Sequence, residues 1–371
     1  MPTPSLLKPS HGILLIADIT GYTMYLQGSE LDHAHGVLTD LLAVLVDGTR
    51  PPLAVSNLQG DAVFSYGIDT HQVSGQTFVE MVEDIYVGFR RAIEEMIMNS
   101  TCGCNACANL GTLDLKFIIH HGEFLIQTIG NSQELVGSDV IIAHRLAKNT
   151  VTATTGIRAY ATYTAAVVEA LDISHLTDDW TPHREVYDSG AIECWVADIG
   201  PVWEEAKSRS ELVIEESEYR GKSSVDIAAP AEQVWDRLAD PNLRRLLVGS
   251  DRQVQETRVK ARVGPGDVYQ CYHGDVALPS TIVEWVPFRR MLTKDENIHL
   301  PGATVDILVD YRLEPTVDGT RLTMAGARPQ GSDADREVFH SMDEPLKQLL
   351  GAALAEFKDQ VEATSATPAA V

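Results

Sequence analysis

The stretch Ile16-Ala17-Asp18-Ile19-Thr20-Gly21-Tyr22-Thr23 decides the fold of the first half of the chain. It closes a short continuous apolar run, Gly12-Ile13-Leu14-Leu15-Ile16-Ala17, of the kind that forms a strand buried on both faces. Asp18 sits where that strand ends. Gly21 permits a tight turn into a helix whose apolar positions recur at Val37, Leu41, Leu42 and Leu45. Further along, Leu53-Ala54-Val55 and Ala62-Val63-Phe64 flank Gln59-Gly60-Asp61, which reads as a hairpin with Gly60 at a positive φ. If these strands are neighbours, Asp18 and Asp61 meet at one end of one sheet. Paired hard oxygen ligands there suit Mg²⁺ or Mn²⁺, ions that keep several waters and bind a substrate's phosphates. The same two acids also suit a turn cap and an ordinary hairpin position.

Composition narrows the classes. The 371 residues are 44% hydrophobic, enough for two ordinary cores. The 29 basic and 53 acidic side chains give a net charge of −24, a surface that repels phosphate backbones and anionic lipid. Nucleic acid and membrane are therefore not expected partners. No run approaches the roughly 18 apolar residues of a membrane span. Met1-Pro2-Thr3-Pro4-Ser5 lacks the features of a secretory signal, so a cytoplasmic location is the default expectation.

Three of the five cysteines crowd into Cys102-Gly103-Cys104-Asn105-Ala106-Cys107. That spacing is too tight for a disulfide framework and points to thiols or a metal. A zinc site would need a fourth ligand, from His120, His121 or a thiolate of a second chain. Part of an iron–sulfur cluster and a loop of unligated thiols fit the same spacing.

Helical periodicity runs from Thr77 to Met98 through Phe78, Val82, Ile85, Phe89, Ile93 and Ile97. A strand over Leu113–His120, a turn at Gly122 and a second strand over Phe124–Ile129 follow, then a helix capped by Ser138. A strand over Arg158–Ala161, a short helix over Thr162–Leu171 and strands near Glu185–Tyr187 and Ile192–Ala197 complete a first unit. The Glu-, Lys- and Ser-rich stretch Glu204–Glu218 reads as a linker. Beyond it, alternating strands are expected near 222–227, 253–262, 267–273, 280–285, 291–296, 303–313 and 319–326. A helix opens at Ala229-Pro230-Ala231, and a long amphipathic helix over Asp335–Val361 closes the chain. A curved antiparallel sheet gripping one long helix leaves a cavity between them. The remaining residues, small and polar, read as a disordered tail.

With these elements placed, the first unit resembles the class III nucleotidyl cyclase homology domain. Ala17-Asp18-Ile19-Thr20-Gly21-Tyr22-Thr23 is similar to that family's Asp-Ile-x-Gly-Phe-Thr segment, and Gly60-Asp61 to its hairpin Gly-Asp. Leu115-Lys116-Phe117-Ile118-Ile119-His120-His121-Gly122 resembles the strand ending in His-Gly. Gly137-Ser138-Asp139-Val140-Ile141-Ile142-Ala143-His144-Arg145-Leu146 resembles the helix that ends in Arg-Leu. More narrowly, the unit looks like bacterial cyclase-like proteins carrying a Cys-x-Cys-x-x-Cys loop. The second unit resembles the helix-grip SRPBCC superfamily of START-like and polyketide-cyclase-like domains, through Val225-Asp226-Ile227-Ala228-Ala229-Pro230-Ala231-Glu232-Gln233-Val234-Trp235 and the terminal helix.

These resemblances imply an α+β chain: a ferredoxin-like cyclase domain over residues 10–203, a linker over 204–218, a helix-grip domain over 219–362 and a tail over 363–371. They imply metal ligation by Asp18, Asp61 and the Ile19 carbonyl, charge stabilisation by Arg145, and base reading near Glu134. Two positions depart from the family pattern. Asn57 stands where a base-reading lysine is found, and Ile141 replaces the asparagine that orients the ribose; an isoleucine offers no hydrogen bond there. The implied function is metal and nucleoside triphosphate binding at a homodimer interface with weak or lost cyclase activity, coupled to an apolar small molecule in the second unit. An active adenylyl or guanylyl cyclase is one alternative, and a ligand-binding protein with a dimerisation scaffold is another.

Overall fold

The computed structural model describes residues 8–69, 73–100, 102–129, 132–188 and 190–365. The chain forms two compact units that divide between Arg209 and Ser210.

The first unit runs β1 (Ser10–Thr20), α1 (Tyr22–Gln27), α2 (Leu31–Thr49), β2 (Ala54–Gln59), β3 (Ala62–Ile68), α3 (Gly75–Asn99), α4 (Asn105–Ala108), β4 (Asp114–Ile129), β5 (Ser132–Val136), α5 (Ser138–Leu146), α6 (Val151–Thr155), β6 (Tyr160–Thr164), α7 (Ala165–Ala170), β7 (Thr181–Tyr187), β8 (Gly190–Asp198) and α8 (Gly200–Ser208). Its sheet has the order β2-β3-β1-β4-β6-β8-β7, with β5 folded back on β4. The order β2-β3-β1-β4, crossed over by α2 and α3, is ferredoxin-like. The apolar run Ile13–Ala17 lies in the central strand β1, paired on both sides and at most 2% exposed. Helices α2 and α3 bury Leu38, Leu41, Leu45, Phe78, Val82, Phe89 and Ile93. Leu14, Ile16, Phe64 and Ile118 pack in one cluster with Val140, Ala143 and Leu146 of α5.

Three local expectations change. Gly122 is not a turn: β4 runs unbroken through it. A Cβ at Gly122 would stand 2.4 Å from the Asp139 carboxylate, which accepts a hydrogen bond from the Glu123 amide at 2.7 Å. The glycine therefore serves close approach of α5. That helix is capped by Gly137, and Ser138 is its first residue. Thr162-Tyr163-Thr164 extends strand β6, because β-branched and aromatic residues fit a fully buried strand, and helix α7 begins only at Ala165.

The second unit runs β9 (Arg220–Ile227), α9 (Ala231–Ala239), α10 (Pro241–Arg244), β10 (Arg252–Thr257), β11 (Val268–His273), β12 (Val276–Val286), β13 (Arg290–Leu300), β14 (Ala303–Thr316), β15 (Gly319–Gln330), α11 (Asp333–Ser341) and α12 (Asp343–Ser365). Its sheet, β10-β11-β12-β13-β14-β15-β9, is antiparallel throughout. Register shifts between Ile282 and Glu284 and between Asp295 and Ile298 mark the irregularities that bend such sheets. Together with α12 this is the helix-grip arrangement. Trp235, Trp285 and Tyr311 are core residues, and the two tryptophan rings meet edge to face at 4.6 Å.

The long final helix is two helices. The chain breaks at Met342, and α12 restarts at Asp343 with Pro345 in its first turn. Proline donates no backbone hydrogen bond and its ring crowds the carbonyl four residues back, so one helix cannot continue through it undistorted. Residues 363–365 continue α12, and the remainder of the expected tail, 366–371, lies outside the described residues.

The stretch 204–218 is shared between the units. Residues 204–208 lie in α8, and 210–218 belong to the second unit. There Ile214 is buried, Arg290 donates to the Leu212 carbonyl at 2.8 Å, and Arg328 donates to Glu218 at 2.7 Å. Below this segment lies a buried charge network. Arg290 grips Asp310 with both Nε and Nη2 at 2.9 and 2.8 Å, and Tyr219 donates to Asp310 at 2.7 Å. Among the described residues no helix is long and apolar enough to cross a membrane.

Candidate functional site

Strand register brings the two acids together. Asp18 lies opposite Ala62 of β3, and the neighbouring Ile19 amide donates to the Asp61 carbonyl at 3.2 Å. Gly60 has φ +66°, as the hairpin reading requires, and so turns Asp61 toward the end of β1. Burial raises the Asp18 carboxyl above its usual range; the Lys116 charge opposes this and the Asp61 charge adds to it. Burial likewise raises Asp61, against its own backbone hydrogen bond and Lys116. Lys116 stands directly across from Asp18 on β4, with Nζ 3.3 Å from Oδ2. Two carboxylates drawn partly out of water at one end of the sheet, one of them raised further by the other's charge, are a donor set a divalent cation stabilises, and Lys116 already supplies part of that positive charge.

Asn57 and Glu134, expected near a base edge, meet: the Asn57 amide donates to Glu134 at 3.2 Å and accepts from Gln59 at 3.0 Å. Ile141 is 56% exposed on α5. Arg145, one turn on, hydrogen-bonds Asp188 and lies 5.8 Å from the Tyr187 ring centroid. Its neighbour His144 packs edge-on against Phe64 at 4.8 Å.

Beside the thiol loop stands a histidine that sequence reasoning missed. His33, in the first turn of α2, places Nδ1 3.1 Å from Cys104 Sγ and 3.7 Å from Cys102 Sγ. The ligand atoms of His33, Cys102, Cys104 and Cys107 all lie within 4.8 Å of one another. His120 and His121 are engaged elsewhere: His120 Nδ1 lies 2.9 Å from Thr164 Oγ1, and His121 Nε2 lies 2.8 Å from Asp69. A hydrogen bond from the Cys107 amide draws the Cys104 thiol down to about 7. The signal that could have found His33 is a histidine in the first turn of α2, the second helix after the Asp-Ile-Thr-Gly turn.

In the second unit a cavity of about 310 Å³ is lined by Val248, Val276, Leu278, Pro279 and Ile298, with His273, His299, Ser280 and Asp295 as its polar groups. Asp295 is buried, which raises its carboxyl, and Ser280 donates to it at 2.6 Å. Nearby, Arg244 is 2% exposed, bonded to Gln253 at 3.1 Å and lying 4.4 Å from the Tyr269 ring centroid.

Fold and sites thus define a ferredoxin-like unit with an acid pair and a thiol cluster, joined to a helix-grip unit with a cavity. Residues 38–155 match the family model described as "Protein of unknown function (DUF2652)", and residues 220–362 match that of "Polyketide cyclase / dehydrase and lipid transport". "Uncharacterized protein Rv2561/Rv2562" of Mycobacterium tuberculosis is 29% identical over 140 residues, 37% of this chain and 61% of the relative. Among solved structures, the adenylyl cyclase CyaB from P. aeruginosa aligns over 56% of this chain and 100% of its own, with 12% identity and a TM-score of 0.40. The guanylyl cyclase Cya2 aligns over 51% and 92%, with 14% identity and a TM-score of 0.40. A bacterial light-regulated adenylyl cyclase aligns over 55% and 58%, with 13% identity and a TM-score of 0.39. The chain therefore spans less than two thirds of the curated relative and of the light-regulated enzyme. The cyclase likeness is one of outline at these values, and the chemistry rests on the residues.

Proposed function

We propose that the first unit binds a divalent cation and a nucleoside triphosphate at the Asp18–Asp61 corner, with weak or lost cyclase turnover. The observation that carries this reading is the convergence of the two raised carboxyls at one end of the sheet. Mg²⁺ or Mn²⁺ held by Asp18, Asp61 and the Ile19 carbonyl would neutralise phosphate charge and activate an attacking hydroxyl. The Asn57–Glu134 pair offers an amide and a carboxylate to a base edge, which supports a purine ligand. Ile141 gives no polar contact to a ribose, which supports poor orientation and slow chemistry. Arg145 supplies a planar guanidinium for a phosphate, and in a homodimer it would serve the acids of the second chain. The test is product formation from ATP and GTP with Mn²⁺. Trace turnover lost in Asp18→Asn supports the reading, whereas robust turnover makes the protein an active cyclase.

The cavity supports a second activity, binding of a small, largely apolar molecule by the second unit. Its volume and lining suit one, with Asp295 and Ser280 as the polar anchor. Native mass spectrometry of the full chain, with Leu278→Trp as the blocked variant, tests it: a bound small molecule that the variant lacks is the supporting result.

A further inference from the structure

We propose that His33, Cys102, Cys104 and Cys107 form a tetrahedral zinc site that staples the loop before β4 onto the start of α2. An ion with Zn–S near 2.3 Å and Zn–N near 2.0–2.1 Å sets its ligand atoms roughly 3.5–3.8 Å apart. His33 Nδ1 stands 3.1 and 3.7 Å from two of the sulfurs, and the whole set fits within 4.8 Å. All three cysteines are free thiols. An iron–sulfur cluster spreads its thiolates over separate irons and so holds them further apart than one shared ion does.

The surroundings are built for the same purpose. Glu30, the cap residue of α2, sends its side chain to the loop instead of to its own helix. Its carboxylate accepts from Asn105 Nδ2 at 3.2 Å and from the Ala106 amide at 3.0 Å. This fixes the helix that carries His33 against the segment that carries the thiols. Cys104 caps α4 and accepts from the Cys107 amide at 3.5 Å. The independent observation is Tyr25. It is 2% exposed, and its hydroxyl is buried without a hydrogen-bond partner. The thiols of Cys107 and Cys104 lie close enough for their charge to act on it. A buried phenol with no partner of its own is the kind of donor that orients metal-bound thiolates from outside, and with the ion bound it would turn its hydrogen toward one of them. Tyr25 belongs to α1, which follows the Asp18 turn directly, so the ion would order the backbone behind the acid pair.

Elemental analysis of the full chain, purified with reduced thiols, is expected to give one zinc per chain and no iron. Replacement by Co²⁺ should give thiolate-to-cobalt charge-transfer absorption and the visible bands of a tetrahedral ion. His33→Ala should release zinc to a chelator faster, and His33→Cys should retain it with cobalt bands shifted toward a four-thiolate spectrum. Tyr25→Phe should weaken affinity about tenfold at unchanged stoichiometry. Cys104→Ser should lose the ion; if that variant does not fold, His33→Cys and Tyr25→Phe carry the test. Iron in place of zinc, no uptake of either ion, or a cobalt spectrum indifferent to His33→Ala overturns the proposal.

Discussion

Lys116 Nζ lies 3.3 Å from Asp18 Oδ2, and the same ammonium donates to the Ala147 carbonyl at 3.0 Å. A cation on one wall of the acid corner ties β4 to the end of α5 and moderates the charge a metal would meet. It also competes with that metal. Lys116→Met should therefore tighten binding of Mn²⁺ alone about tenfold, about 1.4 kcal/mol, read from free Mn²⁺ by electron paramagnetic resonance. Unchanged affinity would place the metal away from Asp18.

The raised carboxyls carry a pH signature. Above the usual carboxylate range the unfolded chain has already released protons that folded Asp18 and Asp61 still hold. Their contribution to stability is therefore most favourable below the unfolded pKa and falls as pH rises through the folded values. Asp61→Asn should raise the midpoint of the metal-free protein slightly at neutral pH, flatten this dependence and abolish stabilisation by Mn²⁺. Melting curves from pH 4 to pH 8, with and without Mn²⁺, measure all three.

Asp188 holds Arg145 on its own chain. If Arg145 serves a triphosphate, Asp188→Ala should free it and raise nucleotide affinity severalfold without moving the melting midpoint, while Arg145→Ala should lower affinity. Titration with a labelled triphosphate at low and high salt tests both, since a phosphate contact weakens with salt.

Asn57 and Glu134 should act as a unit. Alanine at either position should shift the ATP-to-GTP preference in the same direction, and the double variant should fall short of the sum of the single effects. Strict additivity would remove the pair from base reading.

In the second unit, burial pushes Asp310 up, but hydrogen bonds from Arg290 and Tyr219 outweigh it and hold the carboxyl below its usual value. That stability is present above the unfolded pKa and is lost as pH falls through the folded one. Asp310→Ala leaves buried Arg290 with Glu284 as its remaining carboxylate partner and should cost about 1.5–3 kcal/mol, measured by urea unfolding.

The legible parts of the sequence were those whose signal is local. An unbroken apolar run of six residues suits an inner strand, and Gln59-Gly60-Asp61 between two strand-like runs suits a hairpin, so Asp18 and Asp61 were readable as neighbours once those strands pair. Gly122 misled because the absence of a Cβ serves a turn and a close approach equally, and only the position of Asp139 decides between them. The break before α12 was hidden by an apolar period, Val338, Met342 and Leu346, that runs across Pro345.

Contacts distant in sequence were not legible. His33 reaches Cys102 from 69 residues upstream, and spacing within the thiol loop carries no trace of it. Asp188 lies 43 residues beyond Arg145, and Lys116 became the partner of Asp18 only through strand register. Residues 210–218 read as a linker because their charges are many, yet Glu218 and Glu216 pair with Arg328 and Lys222 of the sheet beneath them.

The most direct test of the acid-pair account is calorimetric titration of the full chain with a non-cyclisable ATP or GTP analogue, with Mn²⁺, without it, and in Asp18→Asn. The account predicts saturable binding that requires Mn²⁺ and disappears in the variant. Binding of equal strength in all three experiments, or in none, would contradict it.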